Sequence, residues 1–225
     1  MQPDSSRVED YFQRTAVEFD GLYERKSAVQ YWTNRLLRRA LFERVRLTLD
    51  AFEGARDFTV LDVGSGSGRN SLMMAQAGAR QVLGIDFADN MVDLARAWVT
   101  KDPAGARCEF VKGDIFEYPF DQKFDFVAAL GVFDYVSDPA RLLRRMMDLS
   151  TRKVLGSFPA PSLVRAPLRK LRYSLKNCPV YFYNRRRIEQ VCRDAGLTDY
   201  QILPCTSAGY MLVGKVAASQ AAKRP

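Results

Sequence analysis

The chain has 225 residues, 47% of them hydrophobic and 27% charged, the balance of a globular domain with a full core. It contains no histidine, so no imidazole acts as base or metal ligand, which excludes the serine–histidine hydrolases and the common zinc enzymes. The net charge of +8 is unevenly spread: between Pro161 and Ile188 stand eight basic residues and no acidic one. Such a field favours an anionic partner, whether a small acid, a membrane surface or nucleic acid; the alternative is a solvated face with helix-end charges.

No stretch is apolar for eighteen residues, and the opening MQPDSSRVEDYF lacks the charged start and apolar run of a signal peptide. The expected location is the cytoplasm, with peripheral contact at an anionic membrane left open by the basic window. Cys108, Cys178, Cys192 and Cys205 are far apart, and without a C-x-x-C pair they read as buried free thiols.

In chain order, the residues before about 55 read as helical, with Val8, Tyr11, Phe12 and Thr15 on one face and Trp32, Leu36, Leu37, Ala40, Leu41, Val45 and Leu49 in helical spacing beyond a break at Asp20-Gly21. From Phe58 short apolar runs alternate with helical stretches, as a parallel sheet with crossover helices requires. Strands are predicted over 58–63, 81–85, 107–111, 124–130, 152–158, 199–204 and 208–216, and helices over 69–77, 89–100, 138–148 and 184–195. The last helix stops at Ala195-Gly196. A short turn between the last two strands suggests a C-terminal antiparallel hairpin on an otherwise parallel sheet, and the tail 217–225 reads as a flexible end.

The sharpest local signal is VLDVGSGSGRN at 60–70: a strand, Asp62, then Gly64, Gly66 and Gly68 before a helix that begins near Arg69. Glycines at such a turn let the backbone bend sharply and let a ligand lie directly against peptide groups. A nicotinamide fingerprint would place its third glycine at 69, where arginine stands, and no G-K-[ST] follows to make a P-loop. A carboxylate at the strand end is poorly placed beside a pyrophosphate and well placed for a positively charged ligand, met directly or through water.

With Gly84-Ile85-Asp86, Gly113-Asp114 and the run Phe124–Val132 following in order, the sequence resembles the class I S-adenosylmethionine (SAM) dependent methyltransferases over about 58–136. The resemblance implies a Rossmann-like α/β fold: a seven-stranded, mostly parallel sheet with helices on both faces. It implies a single domain over 1–216, with 1–55 as a helical lid and 160–183 as a basic insertion covering the substrate. Gly64, Ser65, Gly66 and Gly68 would support the methionine portion of SAM, with Asp62 beside them. Asp86 would hold the ribose hydroxyls, Phe87 and Met91 would flank the adenine, Asp114 and Ile115 would read its edge, and Leu130 and Gly131 would line the cofactor from below. Asp86 and Asp114 as turn or capping carboxylates is the structural alternative. In-line methyl transfer requires no metal, and no metal-ligand cluster is present in the sequence.

On the acceptor side, Phe133, Asp134 and Tyr135 follow the fourth strand where this family's acceptor pocket usually begins. Asp134 or Tyr135 orients or deprotonates a hydroxyl, or else Asp134 caps the next helix and Tyr135 packs. An ionised carboxylate acceptor needs no base. Val164, Leu168, Leu171 and Leu175 share one face of a basic amphipathic helix, from which Arg169 and Arg172 would meet an acidic substrate. Tyr181, Phe182 and Tyr183 line the pocket or belong to the core, with Tyr183 the candidate substrate contact. Tyr11 lies in VEDYFQRTAVEFDGLY, which resembles at a few positions the start of magnesium-protoporphyrin O-methyltransferases, whose acceptor is a propionate carboxylate; that pattern does not continue after Ser157.

The reading is a SAM-dependent methyltransferase acting on oxygen of a small, acidic or lipid-linked acceptor. Nucleic acid is disfavoured because no N-P-P-Y tetrad stands at the fourth strand. Nitrogen or carbon methylation and a non-catalytic SAM-binding sensor or assembly subunit are the alternatives, and no feature specifies an oligomeric state.

Overall fold

The computed structural model describes residues 43–161, 179–205 and 209–216. Tyr11, most of the expected lid, Arg169, Arg172 and the tail lie outside the described residues, as does the expected amphipathic helix.

Seven strands form one sheet: β1 (Phe58–Val63), β2 (Ala79–Asp86), β3 (Cys108–Lys112), β4 (Phe124–Ala129), β5 (Ser150–Pro159), β6 (Asp199–Cys205) and β7 (Gly209–Lys215). Their spatial order is β3-β2-β1-β4-β5-β7-β6. The first five run parallel, whereas β7 is antiparallel to both β5 and β6, so the hairpin inserts its second strand next to β5. Chain order reverses between β1 and β4, and in open α/β sheets that switch point leaves a crevice beyond the strands' C-terminal ends.

All six residues of β1 are buried, as a central parallel strand covered on both faces must be. Phe58 and Val60 pack with Phe126 and Ala128 under a helix described over 43–51 (α1) and under α2 (Arg69–Gln76). Leu61 and Val63 point the opposite way, joining Val127 and Ala129 beneath α4 (Pro139–Leu149) and α5 (Arg185–Ala195). Beside α2 on the same face lies α3 (Asp89–Val99), whose Val92 and Ala95 cover Phe110 of β3 and Leu72 of α2.

Side-chain caps fix α4 and α5. Asp138 accepts the Arg141 N–H with Pro139 in the first turn, Asn184 accepts the Arg187 N–H, and Gly196, at φ 81°, ends α5. Asp138 is therefore the cap of α4, which corrects the capping alternative for Asp134. A short 3₁₀ helix at Pro103–Arg107, opened by Asp102, was not anticipated, because five residues carry too little periodicity to register. Cys192 and Cys205 are buried free thiols, and Cys108 is free but only half-buried. Among the described residues no helix is long and apolar enough to cross a membrane.

Candidate active site

Three strand ends are laced together by backbone bonds where the glycines stand. The N–H groups of Gly64 and Ser65 both donate to the Ile85 carbonyl (2.8 and 3.2 Å), and that of Gly113 donates to the Asp86 carbonyl (2.9 Å). The Asp86 carboxylate completes the join: Oδ2 accepts from Gly66 N–H at 2.9 Å and Oδ1 from Ala88 N–H at 3.0 Å. The turn alternative for Asp86 is thus realised, with a backbone donor on each carboxylate oxygen.

The glycines do different work within the loop. A β-carbon on Gly68 would stand 2.9 Å from both Ala95 Cβ and Phe110 Cζ, whereas one on Gly66 would meet nothing within 4 Å. Gly68 lets two helices and β3 close up; Gly66, at φ 51°, faces open space. Gly64 meets the loop after β4, its absent β-carbon 2.6 Å from a Val132 methyl. Arg69, which displaces the nicotinamide pattern, lies 3.6 Å over the Trp98 ring, a cation–π contact.

Asp62 sits beneath this loop, 1% exposed. Ser71, from the first turn of α2, donates to its Oδ2 at 2.6 Å, while Oδ1 has no hydrogen-bond partner and neither has the buried Ser65 hydroxyl. Burial pushes the Asp62 carboxyl up to about 7; the Ser71 bond opposes that shift and the neighbouring Asp86 charge adds to it. A buried carboxylate oxygen without a donor is costly, and a ligand cation arriving directly or through water would satisfy it.

Asp114 stands half-buried just beyond β3, its Oδ1 accepting the Phe116 N–H at 3.0 Å. Ile115 is buried and its carbonyl accepts from Arg145 Nε at 3.0 Å. Met91 packs with Ala88 and the half-buried Phe87. Leu130 is buried, and the Gly131 N–H donates to Ser157 Oγ at 2.7 Å. Asp62, Asp86 and Asp114 therefore end three adjacent strands along one edge of the sheet.

The acceptor side departs from expectation at two positions. Phe133 is fully buried, its ring stacked on Phe158 at 4.1 Å, and Tyr183 is fully buried too, its hydroxyl donating to the Phe133 carbonyl at 3.1 Å. Both are core residues here, joining β4, β5 and the segment before α5. Asp134 is 8% exposed and Tyr135 half-exposed; the Asp134 carbonyl accepts the Tyr181 N–H at 2.7 Å and the Tyr135 N–H donates to Val132 at 2.9 Å. Sequence reasoning missed Ser71 and Ser157, which hold site groups by single hydroxyls, because an isolated serine carries no spacing signal.

Among the described residues no cluster of acidic or sulfur side chains is arranged to hold a metal. A concavity of about 500 Å³ between Val99 and Ala106 lies at the opposite sheet edge, and its Asp102 is already committed to Gln76 and Ala104.

A crevice at the switch point, a glycine turn facing open space and a carboxylate at the end of each of three strands form one candidate site. Residues 60–152, the part of the chain that builds the crevice, match the methyltransferase domain family. The chain is 35% identical over 106 residues to protein arginine N-methyltransferase PRMT10 of Arabidopsis thaliana, covering 47% of this chain and 26% of that protein. It is 32% identical over 107 residues to ubiquinone biosynthesis O-methyltransferase of Neisseria meningitidis serogroup C, covering 46% and 45%. The chain thus spans less than half the length of these curated relatives. Magnesium protoporphyrin IX methyltransferase from Synechocystis PCC 6803, solved with bound S-adenosylhomocysteine (SAH), shares the fold at TM-score 0.75 over 95% of this chain and 100% of that one, with 21% identity. The cofactor of the matched family is SAM, and the orphaned Asp62 Oδ1 with the open space over Gly66 fits its cationic amino-acid portion.

Proposed function

We propose that the protein transfers the SAM methyl group to an oxygen of a small acidic or lipid-linked acceptor. The observation that carries this reading is the alignment of Asp62, Asp86 and Asp114 along one edge around the open face of Gly66. In it, the Gly64–Gly68 backbone with Ser65 supports the methionine portion and Asp62 meets its ammonium. Asp86 takes the ribose hydroxyls, Phe87 and Met91 flank the adenine, Asp114 with Ile115 accepts from the adenine amino group, and Leu130 and Gly131 form the floor.

When bound, SAM supplies a methyl group on a positively charged sulfur that is already a good leaving group. The chain's own contribution is alignment and exclusion of water. For a hydroxyl acceptor, Asp134 takes the proton and Tyr135 orients the oxygen; a carboxylate acceptor requires neither. The ubiquinone O-methyltransferase relative and the N-terminal similarity to magnesium-protoporphyrin O-methyltransferases support oxygen and an acid. The basic window at 161–188, including Arg169 and Arg172, supports an anionic acceptor that approaches alone or from a membrane surface.

The test is calorimetry with SAM and SAH, followed by product assays on pools of hydroxy acids and carboxylic acids. Methyl ester or ether products are expected; binding of SAM with no product from any pool would make the chain a sensor.

A further inference from the structure

Two helices are charged against their own dipoles. The positive end of a helix dipole favours carboxylates in the first turn, and the negative end favours cations in the last. Neither α4 nor α5 has an acidic residue in its first turn. Arg141 stands there in α4, with Asp148 in the last turn, and α5 opens on Arg185, Arg186 and Arg187 in succession. All four of these arginines are exposed. Cations that the helix itself disfavours gain when an outside anion meets them.

Both first turns stand at the C-terminal edge of the sheet. α4 follows β4, and α5 follows a segment whose Tyr183 N–H donates to the Pro159 carbonyl at the end of β5 (2.8 Å). Side chains on a helix lean towards its N-terminus, so these arginines lean towards the edge that holds the candidate crevice. Their own contacts leave them accessible: Arg141 lies 4.3 Å over the Phe116 ring, Arg187 lies 5.4 Å over that of Tyr183, and Arg185 pairs with Glu189 at 3.1 Å. Tyr181 and Phe182, just ahead of α5, are half-buried, which places aromatic rings beside the arginines. In the sequence the same charge continues, with eight basic residues and no acidic one between Pro161 and Ile188. Exposed arginines and half-buried rings on one rim fit the headgroup layer of a bilayer, where guanidinium groups meet lipid phosphates and aromatic rings sit at the interface. A nucleic-acid duplex offers the phosphates without an apolar layer for the rings.

We propose that the first turns of α4 and α5 form a docking surface for an anionic phospholipid membrane, which turns the crevice towards the bilayer; that a lipid-linked acceptor then reaches it rests on the function proposed above. The test is flotation of the whole chain with vesicles of phosphatidylcholine alone and of equal parts phosphatidylcholine and phosphatidylglycerol. Wild type is expected to float with the anionic vesicles only, and less as salt rises. Arg186→Gln with Arg187→Gln spares the Arg185 bond to the Ile202 carbonyl and is expected to lower vesicle affinity about tenfold or more, with SAH affinity and melting temperature retained. Arg141→Gln with Arg186→Gln, which leaves the contact of Arg187 with Tyr183 intact, should show the same loss. Arg107→Gln with Arg152→Gln removes equal charge at the opposite edge, just ahead of β3 and near the start of β5, and is expected to float as wild type does. A wild type that ignores anionic vesicles, an equal loss in the control pair, or tighter binding of a nucleic-acid duplex than of the vesicles at the same salt overturns the proposal. The two readings fail separately: SAH binding without flotation removes the docking surface alone, and flotation without SAH binding removes the cofactor reading alone.

Discussion

Asp62 is buried by the fold in surroundings that favour its protonated form. Its carboxyl is pushed up to about 7 by burial, so the folded chain without ligand binds this proton more tightly than the unfolded chain does. The sign follows: the group's contribution to stability is fully present below about pH 4 and is lost as pH rises towards 7. A ligand ammonium favours the ionised form, so SAM affinity should increase as pH rises through 7 and then level off. In Asp62→Asn, which keeps the Ser71 bond, both dependences should flatten and SAM affinity should drop by about 1.5–3 kcal/mol, the range of a charge-assisted hydrogen bond. Calorimetry and thermal melts between pH 5 and 8 measure both; a wild-type profile as flat as the mutant's contradicts the account. Asp86 is a different case, because its oxygens already accept two backbone N–H groups. Asp86→Ala should therefore weaken SAM by about 1–3 kcal/mol and also lower the melting temperature. Unchanged affinity would mean that the ribose lies elsewhere.

At the scale of elements, the glycine loop separates packing from binding. Alanine at 66 adopts a left-handed φ at about 1–2 kcal/mol but touches no protein atom, whereas alanine at 68 adds a clash with Ala95 and Phe110 costing about 1–3 kcal/mol more. Chemical denaturation should rank Gly68→Ala as the less stable. SAM titration should show a large loss in Gly66→Ala despite its intact fold; full affinity in that variant would mean that the open space is not the cofactor's. The sequence exposed this loop because three glycines after a strand are a local pattern, and β1 was legible to the residue because a central strand buries every side chain. Strand order was not legible: the pairing of β7 with β5 joins residues such as Leu155 and Val213, whose proximity no local periodicity encodes. The misplacement of Phe133 and Tyr183 has the same origin. Their position after β4 and before α5 suggested a pocket wall, but the stacking of Phe133 on Phe158 and the bond from the Tyr183 hydroxyl are tertiary facts that draw both rings inward.

For the molecule as a whole, two layers of helices serve unequal ends. One face, with α1, α2 and α3, carries Asp62, Ser71 and the loop; the other, with α4 and α5, braces the strands that end at Gly131 and Pro159. The crevice lies between them because the chain changes direction at β1, and the carboxylates arrive there by ending successive strands rather than by any contact among themselves. The central claim is thus geometric: one edge of one sheet holds an adenosine cofactor across three strand ends. A crystal structure of the SAH complex tests it most directly. The account predicts the ribose at Asp86, the adenine beside Asp114 and Met91, and the amino acid over Gly66 with its nitrogen towards Asp62. Density for the nucleoside at the opposite edge, near Val99 and Ala106, or at no fixed position under saturating SAH, would contradict it.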